Sequence, residues 1–129
     1  MPLAPEEKNQ VDRLINDRID SVPHLEALLL FWRESPRLWG VPAISERLWV
    51  RPEIADAILH DLAREGFIEK HPDAAEYSYH SESELNELVS LLAQAYREDL
   101  VRVSRMIHRK ASSPVREFAK AFRWKKDGE

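Results

Sequence analysis

Histidines, carboxylates and arginines are the side chains here best suited to chemistry, because the chain contains no cysteine. Thiol nucleophiles, zinc thiolates, iron–sulfur ligation and disulfides are therefore excluded. None of the five histidines, His24, His60, His71, His80 and His108, has the spacing that places two metal ligands on one helix face. His71, Asp73, Glu76 and His80 fall close together, but on a turn such a group reads as solvated polar residues. The three glycines, Gly40, Gly66 and Gly128, are too dispersed to cradle a phosphate. The serines sit at caps and turns, without the strained turn of a nucleophile elbow. We therefore expect no catalytic residue, no metal and no cofactor.

What remains is the chemistry of charge. The net charge of −4 conceals two opposed parts. Residues 1–100 carry 10 basic and 20 acidic side chains, a net of −10, and residues 101–129 carry 9 and 3, a net of +6. Near the end, Arg116, Lys120 and Arg123 surround Phe118, Phe122 and Trp124. A basic amphipathic segment of this kind can bind nucleic acid, an anionic membrane surface or an acidic protein face, including the body of its own chain.

The elements that must position these groups can be read from periodicity. Apolar residues make up 43% of the chain, enough for a core. No apolar run approaches the roughly 20 residues of a membrane span. Val11, Leu14, Ile15 and Ile19 mark an amphipathic helix within residues 1–20. Leu25, Leu28, Leu29 and Trp32 mark a second helix over about 21–34, capped by Asp20 or Ser21 and ended by Ser35-Pro36. Leu38-Trp39 is a short extended piece. A short helix over 41–48 and another over 52–65 follow, joined by Trp49-Val50-Arg51. Gly66 stops the latter. The segments 67–70 and 76–80 read as a two-stranded hairpin. A single long helix is expected over 82–111, and a short basic helix and tail over 112–129.

This order, and the stretch from Ala43-Ile44-Ser45-Glu46-Arg47-Leu48 to Leu62-Ala63-Arg64-Glu65-Gly66-Phe67-Ile68, resembles the winged helix-turn-helix of small bacterial transcriptional regulators. The resemblance covers about residues 20–80. It implies a mainly α fold with a small β hairpin (α+β), a winged helix-turn-helix over 21–81 with a long C-terminal helix. It also implies that the outer face of the 52–65 helix enters the major groove of double-stranded DNA.

On a helical wheel, Ile54, Ala55, Ile58, Leu59 and Leu62 point inward, whereas Glu53, Asp56, His60 and Arg64 point outward. With Arg47 and Arg51, these outward residues form the expected DNA-contacting set, and Arg37 is a further nearby cation that could touch phosphate. Two carboxylates on that face oppose phosphate binding. A winged helix that binds a protein instead of DNA is therefore the alternative. Leu85, Leu88, Leu92, Tyr96, Val103 and Ile107 share one stripe of the long helix, which is expected to pair with a second copy in a homodimer. Asp99 lies within the stripe, with Arg102 or an arginine across the interface as a partner for its carboxylate. Trp32, Trp39 and Trp49 are core aromatics or the lining of a small-molecule pocket. The lack of cysteine and of a targeting segment fits a cytoplasmic protein.

Overall fold

The computed structural model of the chain describes residues 1–111. The basic segment with Arg116, Lys120 and Arg123 lies outside the described residues. The elements are α1 (Pro5–Arg18), α2 (Val22–Arg33), β1 (Trp39–Gly40), α3 (Val41–Leu48), α4 (Pro52–Arg64), β2 (Ile68–Lys70), β3 (Glu76–Tyr79), α5 (Ser83–Glu98) and α6 (Leu100–Ala111). The fold is mainly helical with a small antiparallel sheet.

Helix α2 is the centre of the molecule. Ser21 caps it by accepting the His24 backbone N–H at 3.2 Å. Leu25, Ala27, Leu28, Leu29, Leu30 and Phe31 are all buried, an arc too wide for a helix with one solvated side. It packs against α3 and α4 on one flank and against α5 and α6 on another. Helix α1 lies against α5 and α6, burying Val11, Leu14 and Ile15. Helix α4 ends in a two-bond turn: the Gly66 N–H donates to Ala63 O and the Phe67 N–H to Leu62 O. Gly66 sits at φ 85°, the left-handed conformation that this ending requires.

The sheet has three strands, not the two of a simple hairpin. Its order is β1-β3-β2, with Trp39 opposite Tyr77 and Gly40 opposite Glu76. The third strand depends on Gly40, where a Cβ would lie 3.1 Å from the Ala75 carbonyl oxygen. Glycine lets the two backbones approach that closely.

The single long helix expected over 82–111 is in fact two. Asp99 (φ −145°, ψ 61°) leaves the helical region between α5 and α6. It is exposed rather than buried in a stripe, and its carboxylate meets Arg102 Nε at 3.4 Å. Arg102 also reaches Asp12 on α1 at 3.3 Å. The break lets both halves of the apolar stripe fold onto α1 and α2, with Val89, Leu92, Ala95, Val103 and Ile107 buried. An unbroken helix would carry its second half away from the body. The end of α6 is fixed by Lys110, whose ammonium donates to the carbonyl oxygens of Ile15 and Ile19 at the end of α1. A cation there complements the negative end of the helix dipole.

Candidate functional site

The most unusual residue in the structure sits in the turn between α3 and α4. Trp49 adopts φ 57° and ψ 44°, the left-handed region, and its side chain is 93% exposed. The backbone around it is a helix ending in which the Val50 N–H donates to Ser45 O at 3.1 Å, and the Ser45 hydroxyl donates to Val50 O at 2.6 Å. Glycine ordinarily fills that left-handed position. An L-residue there costs about 1–2 kcal/mol, and an indole in water recovers none of it by burial.

Around this turn the fold assembles arginines. Trp39 on β1 is buried, and Arg37 stacks on its ring with the guanidinium carbon 4.1 Å from the ring centroid. Arg47 on α3 approaches the same ring at 5.6 Å. Glu34, just past α2, holds both: Arg37 Nη1 donates to Oε1 at 3.0 Å and Arg47 Nη2 to Oε2 at 3.1 Å. Arg51 stands at the N-cap position of α4 without a capping hydrogen bond from its side chain, and it forms no ion pair among the described residues. Arg37, Trp39, Arg47, Trp49 and Arg51 line one shallow depression of about 770 Å³. Trp39 Nε1 is buried and has no hydrogen-bond partner. Cations stacked on aromatic faces beside an exposed indole can bind a phosphate and stack on a flat ring.

The residues expected to contact DNA divide between two surfaces. Arg47 and Arg51 are at the depression. Glu53, Asp56, His60 and Arg64 are exposed along α4, and three of them have a charged neighbour on the same helix. His60 Nδ1 lies 3.8 Å from Asp56, and Arg64 donates to Asp61 at 2.8 Å. Tyr77 beneath this face has its hydroxyl pKa raised, first by burial and then by the negative charge of Asp56. Ile54, expected to point inward, is 49% exposed. It belongs to the first turn of α4, beyond the reach of the core that covers Ala55, Ile58, Leu59 and Leu62. Arg37, expected as a nearby cation, lies at the depression too. Trp39 completes it and was not expected there, because its separation from Arg51 in sequence gives no periodic signal.

The residues expected at a dimer seam are occupied differently. Leu92, Val103 and Ile107 are buried in the chain's own core, while Leu85, Leu88 and Tyr96 are half-buried against it. The Tyr96 hydroxyl donates to Glu26 at 3.3 Å. The polar group of the hairpin is not gathered into one site: His71 bonds Ser78 across the strands at 2.9 Å, and His80 faces Glu69 at 3.6 Å.

A different cluster, Asp20, His24 and Asp61, does come together, with potential ligand atoms within 4.8 Å of one another. His24 Nε2 lies 2.8 Å from Asp61, and Nδ1 lies 2.6 Å from the Ser21 hydroxyl. With Asp61 also held by Arg64, the donors are committed to clamping the start of α2 to the last turn of α4. A metal would have to break that clamp.

No described helix is long and apolar enough to cross a membrane. No family model matches the chain, and neither a characterised protein nor a solved structure is detectably similar to it. The class of protein is thus defined by its architecture alone: a mainly α chain with a three-stranded antiparallel sheet.

Proposed function

We propose that this chain is a winged helix-turn-helix protein that binds nucleic acid, as a regulator acting at DNA, through its arginine-lined turn. The order α2, β1, α3, α4, β2, β3 with strand order β1-β3-β2 supports the winged-helix reading. The observation that carries the function is Trp49, a bulky residue kept in a strained conformation and almost fully in water. Strain retained at an exposed position is a mark of use rather than of stability. Arg37, Arg47 and Arg51 supply phosphate contacts around it, joined by the uncapped first turn of α4.

The outer face of α4, with Glu53 and Asp56, contributes little to phosphate binding. Contact therefore centres on the turn and not on the middle of the helix. A second copy is not part of this proposal, because Leu92, Val103 and Ile107 are buried within the chain. A second reading, a protein-binding winged helix, is favoured by one observation: Ile54 is half exposed on the same first turn as Glu53.

Nuclear magnetic resonance titration of the full chain with a short duplex DNA separates the two. The expected result is a set of shifts centred on the Trp49 indole and the Arg37, Arg47 and Arg51 guanidinium groups. No shifts at low salt, or shifts confined to the outer face of α4, would overturn the proposal.

A further inference from the structure

A second concave surface lies away from the turn. It is a groove of about 810 Å³ between α1, the end of α4 and α5. Leu85, Leu88 and Leu91 form its apolar floor, and Glu82, Glu84 and Glu87 line it on the same helix and its approach. Counting Asp17 and Glu65, five carboxylates face only Arg13 and Arg18. Glu65 Oε2 is buried there and has no hydrogen-bond partner. A buried carboxylate oxygen without a partner is costly, and a cation entering the groove would satisfy it.

The rest of the chain has the matching chemistry and the matching starting point. Between Ser112 and Lys126 it carries Arg116, Lys120, Arg123, Lys125 and Lys126 against Glu117 alone, with Phe118, Phe122 and Trp124 among them. Lys110 pins the end of α6 to the carbonyl oxygens of Ile15 and Ile19. Asp17 and Arg18, between those two anchor points, line the groove. The described chain therefore ends at the C-terminal end of α1, the end whose other face lines the groove, and the 18 residues that follow reach roughly 27 Å even when fully helical. We infer that residues 112–129 dock in this groove of their own chain, aromatic side chains on the leucine floor and cations on the carboxylates. This inference is independent of what the α3–α4 turn binds. It leaves that turn, not the basic segment, as the cationic surface offered to a partner.

The absence of cysteine makes the test direct. A nitroxide is attached to the full chain through Ala121→Cys, and the leucine methyl signals are compared before and after reduction of the label. Docking predicts severalfold broadening of Leu85, Leu88 and Leu91, removed by the exposed-site double substitution Glu84→Lys with Glu87→Lys. Unbroadened floor methyls would overturn the inference. So would broadening that the two charge reversals leave in place. Equal broadening when labelled and methyl-enriched copies are separate chains would assign the groove to a second copy and overturn docking within the chain.

Discussion

Glu34 restrains the site, and removing its charge should strengthen binding to nucleic acid. Its two oxygens hold Arg37 and Arg47 at 3.0 and 3.1 Å, so a phosphate reaching either guanidinium must share it with a carboxylate. Both arginines remain about half exposed, at 56% and 51%, so the approach is open. Two like charges close together near a surface repel by about 1 kcal/mol or more, which corresponds to about a fivefold change in affinity. Exposed ion pairs contribute only about 0–1 kcal/mol to folding, so Glu34→Gln should leave the urea midpoint nearly unchanged. Each phosphate newly neutralised steepens the dependence of log affinity on log salt by about 0.9, so freeing two arginines adds up to about 1.8. The assay is fluorescence anisotropy with a labelled duplex at several salt concentrations, wild type beside Glu34→Gln. Tighter binding with a steeper slope is expected. Unchanged affinity and slope would refute the reasoning, and weaker binding would show that Glu34 positions the arginines rather than competing for them.

Three further outcomes are expected. Trp49→Gly removes about 1–2 kcal/mol of left-handed strain and adds roughly 0.5–1 kcal/mol of unfolded-state entropy. It should therefore hold or raise the unfolding free energy in urea while weakening DNA binding, and a loss of both would refute the strain argument. Leu92→Ala should cost about 2–5 kcal/mol in urea unfolding, with a midpoint independent of protein concentration, because Leu92 is buried within one chain. A concentration-dependent midpoint would restore the dimer seam. Tyr77, Tyr79 and Tyr96 all have raised hydroxyl pKa values, with burial the first cause. A raised folded pKa favours the protonated form, so stability should hold below the ordinary tyrosine range and fall as pH rises through it and beyond. Circular dichroism of the urea midpoint from pH 8 to pH 12 would show this, and a midpoint rising over that interval would contradict it.

Much of the architecture was legible because helix periodicity and caps agree locally. Ser21, Gly66 and the proline-led starts of α3 and α4 set boundaries that the structure shares to within a residue or two. What escaped was non-local. The apolar stripe continues in phase across Asp99, so nothing in its period shows that the backbone turns there to bring Val103 and Ile107 onto α1 and α2. The third strand is only two residues long and exists because Gly40 meets the chain before β3. The α4 wheel sorted faces correctly except for Ile54, whose exposure depends on where the core ends rather than on angle. At the site, Arg47 and Arg51 were visible from their place beside the turn. The Glu34–Arg47 pair needed the end of α2 to meet α3, and the His24–Asp61 clamp needed α2 to meet α4 across 37 positions.

The central claim is that the arginine-lined turn binds nucleic acid through phosphate contacts. It is tested most directly by anisotropy of the full chain with random-sequence duplex DNA, between 50 and 200 mM salt, beside the triple variant Arg37→Ala, Arg47→Ala and Arg51→Ala. One to three phosphate contacts predict an affinity loss between about 3-fold and about 40-fold across that range, largely abolished in the triple variant. No binding at 50 mM salt, or binding that the triple variant retains in full, would contradict the claim.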